Sequence, residues 1–189
     1  METTLDYLKS TKQQFTYYKQ LGEKSMAQLP DNKLFLQPNE NSNSIATIAK
    51  HLWGNMLSRW TDFLTTDGEK EWRQRDAEFE NDIQTREELL SKWNEGWQCL
   101  FNALDSISDK DLSKTIYIRN DGHTILEAIN RQVAHYAYHV GQIVYAAKLL
   151  KEEEWSSLSI PKNASAQYNE KKFSQEKGDR HFTDDLLKN

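Results

Sequence analysis

Two histidines, His135 and His139, stand four residues apart in a stretch of helical apolar periodicity. On an α-helix that spacing stacks the two imidazoles on one face, with Cβ atoms about 5–6 Å apart. Imidazoles so placed can converge on one ion at metal–nitrogen distances of about 2.0–2.1 Å. A third histidine, His51, flanks the apolar face of a separate helical stretch. If the two helices pack together, three neutral nitrogens meet and leave at least one coordination position open, as catalytic zinc sites do and closed structural ones do not. Imidazole suits zinc, nickel, iron and copper alike, so ligand type does not select the ion. Histidines at this spacing also occur in ordinary packed cores, and spacing alone leaves both readings open. The glutamate of an H-E-x-x-H metalloprotease helix is missing. His123, in a turn, and His181, in the final segment, read as solvated.

Polar residues near these histidines extend the candidate site. Asn55, Arg59 and Asp62 follow His51 by four, eight and eleven residues, which puts them on its side of a helix. Arg59 falls within the apolar stripe, and a buried guanidinium requires an anionic partner, either a carboxylate of the fold or an anionic substrate. Gln142 continues the His135/His139 face, where it could support a ligand, touch substrate or simply pack. No general base stands out, which weakens a hydrolase reading more than a thiol transferase one. Cys99 is the only cysteine and reads as a small buried hydrophobe.

The elements that must position these residues are helical. Three prolines and seven glycines fall mostly between periodic segments. A first helix is predicted from about Thr4 to Leu29, with Leu5, Leu8, Phe15, Tyr18, Leu21 and Leu29 on one face, ending before Pro30. Ser44 caps a second, running to about Leu64 on the stripe Ile45, Ile48, Leu52, Met56, Trp60 and Phe63. Residues 65–82 form a long polar loop carrying Trp72, Arg73, Arg75, Asp76 and Phe79, a length often associated with function. Thr85 and Glu88 form a capping box for a third helix with Leu89, Trp93, Trp97, Leu100 and Leu104 inward. Lys114–Arg119 is a short extended piece before a turn at Asn120-Asp121-Gly122. Thr124 and Glu127 cap the most apolar helix, to about Leu150. Four amphipathic helices with marginal strand content predict an all-α fold, an antiparallel four-helix bundle with long inter-helix loops. Residues 1–165 form the bundle and residues 166–189 a loosely docked tail.

Composition removes several function classes. A formal net charge of −5, with lysine and arginine scattered, argues against a nucleic-acid-binding surface. No run approaches the roughly 18 apolar residues of a membrane span. One cysteine and an N-terminus without a basic start and apolar run suit the cytoplasm.

The run Gln132-Val-Ala-His135-Tyr-Ala-Tyr-His139-Val-Gly-Gln-Ile143, together with Ala49-Lys-His51-Leu-Trp-Gly54-Asn55, resembles the DinB superfamily of metal-binding four-helix bundles. Arg59–Glu69 and Leu158-Ser-Ile-Pro161 resemble one uncharacterised branch of it, so the likeness covers roughly residues 5–165. It implies an up-down-down-up bundle, often a homodimer, with His51, His135 and His139 as ligands of a divalent ion, zinc or nickel first. Thiol-dependent transferases, a thiol-dependent isomerase and metal-dependent hydrolases belong to that superfamily. The expected function is therefore a metal-dependent enzyme acting on a low-molecular-weight thiol. A non-catalytic metal- or ligand-binding stress protein, a metal-dependent hydrolase and a metal-free helical interaction module are the alternatives. Where the branch carries Arg-Gly after the late Ile-Pro, this chain has Lys162-Asn163, so no anion-binding role passes to that loop.

Overall fold

Three of the four long helices begin where a hydroxyl can satisfy their free backbone donors. The Ser44 and Thr85 hydroxyls accept from the amides of Thr47 and Glu88. Thr124 forms the full reciprocal box: its hydroxyl accepts from the Glu127 amide while the Glu127 carboxylate accepts from the Thr124 amide. In the computed structural model, which describes residues 6–151 and 154–187, these caps open α3 (Ile45–Trp60), α4 (Arg86–Asp105) and α5 (Ile125–Lys151). The first helix, α1, spans Tyr7–Ala27, and Pro30 leads into the single turn α2, Asp31–Leu34. The expected start at Thr4 and the stripe residue Leu5 lie outside the described residues.

The described chain is mainly helical, with one two-stranded hairpin between α4 and α5. Its strands, β1 (Thr115–Ile118) and β2 (Asp121–Thr124), pair antiparallel, with Ile116 opposite His123 and Ile118 opposite Asp121. The turn falls one residue earlier than the Asn-Asp-Gly signal suggests, at Arg119 and Asn120, whose φ angles are 57° and 63°. Two consecutive left-handed residues match the right-handed twist of a tight hairpin. Burial of Ile116 and Ile118 on one face sets the register, so Asp121 and Gly122 enter the strand instead. Beyond α5, helix α6 (Ser165–Phe173) buries no side chain. Further on, Thr183 is fully buried, and His181, Phe182 and Asp184 meet Ser10, Tyr17 and Gln13 of α1. Asn163 adopts a left-handed φ of 70° that asparagine tolerates.

The inward stripes meet in one core. Every residue expected on the α3 and α4 stripes is buried, as are Leu8, Phe15 and Leu29 near α1 and Ile125, Ile129, Tyr136, Val140, Ile143 and Ala147 on α5. At its centre Trp97 meets Phe15, Trp93 and Tyr136 with ring centroids 6.3, 5.5 and 5.7 Å away. Helix α3 packs chiefly against α4 and also against α5, while α1 packs chiefly against α5. A Cβ at Gly96 would lie 3.0 Å from the Trp53 Cα, so the missing side chain is what lets α4 approach α3 closely. Among the described residues no helix is long and apolar enough to cross a membrane.

Truncating the hub should expose how much the core depends on it. Trp97→Ala is expected to lower unfolding free energy by about 3–5 kcal/mol, read as the urea midpoint at constant m-value.

Candidate metal centre

Helix α3 is buried on nearly every side, including its polar positions Lys50, His51, Asn55, Ser58 and Arg59. A buried polar group without a partner is costly, so each of these must find one inside the fold. His51 finds two kinds. Its Nε2 lies 3.4 Å from the Nε2 of His135 on α5, and the ligand atoms of His51, His135 and His139 all lie within 4.8 Å of one another. Three histidines from two helices thus stand close enough to hold one metal ion.

The other ring nitrogens fix which atoms face the centre. His51 Nδ1 donates to the Glu78 carboxylate at 2.8 Å, and His139 Nδ1 to the Gln142 side-chain oxygen at 2.7 Å. His135 Nδ1 faces the Gln132 oxygen at 3.4 Å, a looser contact. A proton on Nδ1 leaves Nε2 free to bind a cation, and the Nε2 atoms of His51 and His135 face each other. The 3.4 Å separation also suits two ligands of one tetrahedral ion, for which bonds of about 2.0–2.1 Å give roughly 3.3–3.4 Å. Acceptors on the far nitrogens are the usual outer support of metal-bound histidine. The residues present therefore fit a divalent ion.

Of the remaining candidates, Gln142 holds His139 directly. Asn55 accepts from the Tyr136 hydroxyl at 3.2 Å, and that hydroxyl accepts from Trp60 Nε1 at 3.1 Å, so Asn55 serves the core behind the histidines. Arg59 is paired within the fold: Nη1 donates to the Gly68 carbonyl and to Glu69 at 3.2 Å. Asp62 lies two residues beyond α3 in a left-handed conformation, φ 46°, and lines a groove with Thr61, Glu95 and Cys99 instead of the histidines. His123 and His181 are both partly buried, contrary to the expectation that they are solvated. His181 bonds Ser10 and Thr183, and His123 Nε2 is buried without a hydrogen-bond partner among the described residues.

Four contributors were not tied to the histidines by the sequence reading: Glu78, Gln132, and Arg73 and Phe79, which it named only as residues of the 65–82 loop. Glu78 sits on a single 3₁₀ turn, Asp76–Phe79, and the next residue, Phe79, stacks on the His51 ring at 4.8 Å and 27°. Arg73 grips Glu78 with two bonds of 2.7 and 3.0 Å and also reaches Glu69 at 3.2 Å. The fourth, Gln132, precedes His135 by three residues just as Gln142 follows His139 by three. Loop and helix are further tied by Lys50, which donates to the carbonyls of Ala77 and Glu80 and to Asp82. Charges therefore alternate from Arg59 through Glu69 and Arg73 to Glu78, which bonds His51.

Burial raises the Glu78 carboxyl, but hydrogen bonds from His51 and Arg73 more than reverse this and hold it below the usual range. Burial above all, then the neighbouring His139 and His51, pushes His135 from 6.5 down to about 3. Burial also lowers His139, against the opposing pull of its bond to Gln142. Both imidazoles are thus neutral at neutral pH, the form a metal requires.

A family model described as a protein of unknown function, DUF1572, matches residues 2–164 of the chain. No curated protein and no solved structure matches it.

The depressed histidines give the chelator-treated protein a defined pH response. Its unfolded chain binds protons near pH 6.5, whereas folded His135 resists them down to about 3. Between those values the unfolded state holds more protons, so stability falls as pH falls. The urea midpoint should drop between pH 7 and pH 5, and His135→Gln should flatten the decline; a midpoint that rises on acidification would contradict it.

Proposed function

We propose that this chain, which belongs to the DUF1572 family, is a divalent-metal-binding four-helix bundle of DinB type. Its three-histidine centre serves as a metal-dependent enzyme site, with transfer of a low-molecular-weight thiol as the leading reaction. The observation that carries the reading is the convergence of His51, His135 and His139 with their Nδ1 atoms turned to acceptors. The pairing of α1 with α5 and of α3 with α4 and α5 supports an up-down-down-up arrangement. Three imidazoles do not by themselves select the ion, and zinc and nickel come first through the sequence likeness alone.

His51, His135 and His139 would hold the ion, each oriented by its own acceptor. When bound, a divalent ion with an open position supplies Lewis acidity and lowers the pKa of a thiol or water. The chain's own residues provide a rigid surround: Phe79 covers one face of His51, and Tyr138 meets His139 edge-on at 4.8 Å. A reaction that needs no protein base suits this site, because the carboxylate bonded to His51 is already committed to Arg73. The same commitment favours a non-catalytic binding protein as the second reading, ahead of a hydrolase. Exposed Tyr138, Tyr145 and Leu149 along α5 support the homodimer that the likeness implies.

Purified protein should retain about one zinc or nickel ion per chain, as a single three-histidine site requires. Conjugation of a small thiol to an electrophilic acceptor should proceed with metal and fall at least tenfold with chelator. His135→Ala/His139→Ala should lose both ion and activity. Metal retained without turnover in any thiol assay would leave the binding-protein reading; turnover surviving the double substitution would remove the enzyme reading altogether.

A further inference from the structure

The three ligands are not supported alike. His135 and His139 lean on neutral amide oxygens, whereas His51 leans on a carboxylate. That carboxylate is delivered from outside the helices by the 65–82 loop, and Glu78 is only 4% exposed. Its seat depends on Gly54: a Cβ there would lie 2.7 Å from the Glu78 carboxyl carbon. Its second partner, the Arg73 guanidinium, has a side chain 2% exposed. Glu69 in turn binds Arg73, Arg59 and Arg119. A buried, fully bonded carboxylate on one ligand only is an expensive arrangement if nothing but packing is served.

We propose that Glu78 is a positioning residue of the metal centre, which acts through His51 to raise the affinity for the ion. Its negative charge pins the Nδ1 proton, keeps the Nε2 lone pair on the centre, and makes His51 a stronger donor than the amide-supported histidines. Arg73 has the opposite electronic role. It bonds Glu78, which His51 and the close approach at Gly54 also seat, and draws on the same charge. The inference rests on the three histidines being a metal site, and adds which group outside the ligand set governs its strength.

A purely structural pair predicts something different. Removing either member of Glu78–Arg73 would then disturb loop docking alike, and both changes would weaken metal binding together. The two variants Glu78→Gln and Arg73→Met separate these cases. Glutamine preserves the shape and an acceptor for His51 but removes the charge. Methionine removes the competing cation while Glu78 stays.

Zinc affinity, measured in competition with a chromophoric chelator, should fall by about 10–100-fold in Glu78→Gln. In Arg73→Met it should change by less than about threefold, or rise. The visible spectrum of the cobalt-substituted protein should shift in Glu78→Gln and stay close to wild type in Arg73→Met. Equal weakening in both, or unchanged affinity in Glu78→Gln, overturns the inference. Should Glu78→Gln not fold, Gly54→Ala displaces the carboxylate with all charges kept. A tenfold loss there supports the proposal and an unchanged affinity refutes it. Wild-type protein that binds neither zinc nor nickel defeats the metal reading itself, an outcome distinct from metal-binding protein indifferent to residue 78.

Discussion

Helix α3 has almost no face left for water, yet it carries a lysine, a histidine, an asparagine, a serine and an arginine. That conflict organises much of the molecule. An enclosed helix of this kind is normally apolar all round, because a polar side chain taken from water must recover its hydrogen bonds inside. Here the recovery comes mostly from one segment. The loop between α3 and α4 places the Gly68, Ala77 and Glu80 carbonyls and the Glu69, Glu78 and Asp82 carboxylates where Lys50, His51, Ser58 and Arg59 need them. It is less a connection than a polar counterpart cut to fit one helix.

The histidine cluster follows from the same enclosure. His51 is held from both sides, by Glu78 through Nδ1 and by Phe79 against its ring. On α5, His135 and His139 lie at the margin of the core, with Tyr136 between them committed to Trp60 and Asn55. Tyr136 links the two helices at the level of the histidines, and burial keeps its phenol protonated. The three histidines are therefore braced by aromatic, amide and carboxylate contacts of the fold itself.

Much of this was legible in the sequence, where local rules apply. The caps at Ser44, Thr85 and Thr124 and the stripes of α3 and α4 depend on neighbours three or four residues away, and they appear where the spacing puts them. The meeting of His51 with His135 and His139 was left open by spacing and depended on α3 packing against α5, as it does here. Glu78, Arg73 and Glu69 were not readable, because the 65–82 segment has no period and its partners lie elsewhere in the chain. Two signals were nonetheless present. Gln132 stands at the same three-residue offset from its histidine as Gln142, and glycines at 54 and 96 sit inside helices, where the residue weakens the element unless another group must come close. The hairpin partner strand was missed because Asp121 and Gly122 read as turn formers, and only pairing with the buried Ile116 and Ile118 reassigns them.

The double anchorage of the 65–82 loop also bears on how such a chain can vary. Surface connections ordinarily gain and lose residues cheaply, since closing a somewhat longer loop adds little entropy. Between Gly68, whose amide bonds the Tyr117 carbonyl and whose own carbonyl bonds Ser58, and Glu78, bonded to His51, the number of residues is a measured span fixed at both ends. One residue inserted there would carry Arg73, Glu78 or Phe79 out of step with its partner. A stretch with the composition of a tolerant linker thus has the length constraint of a core element.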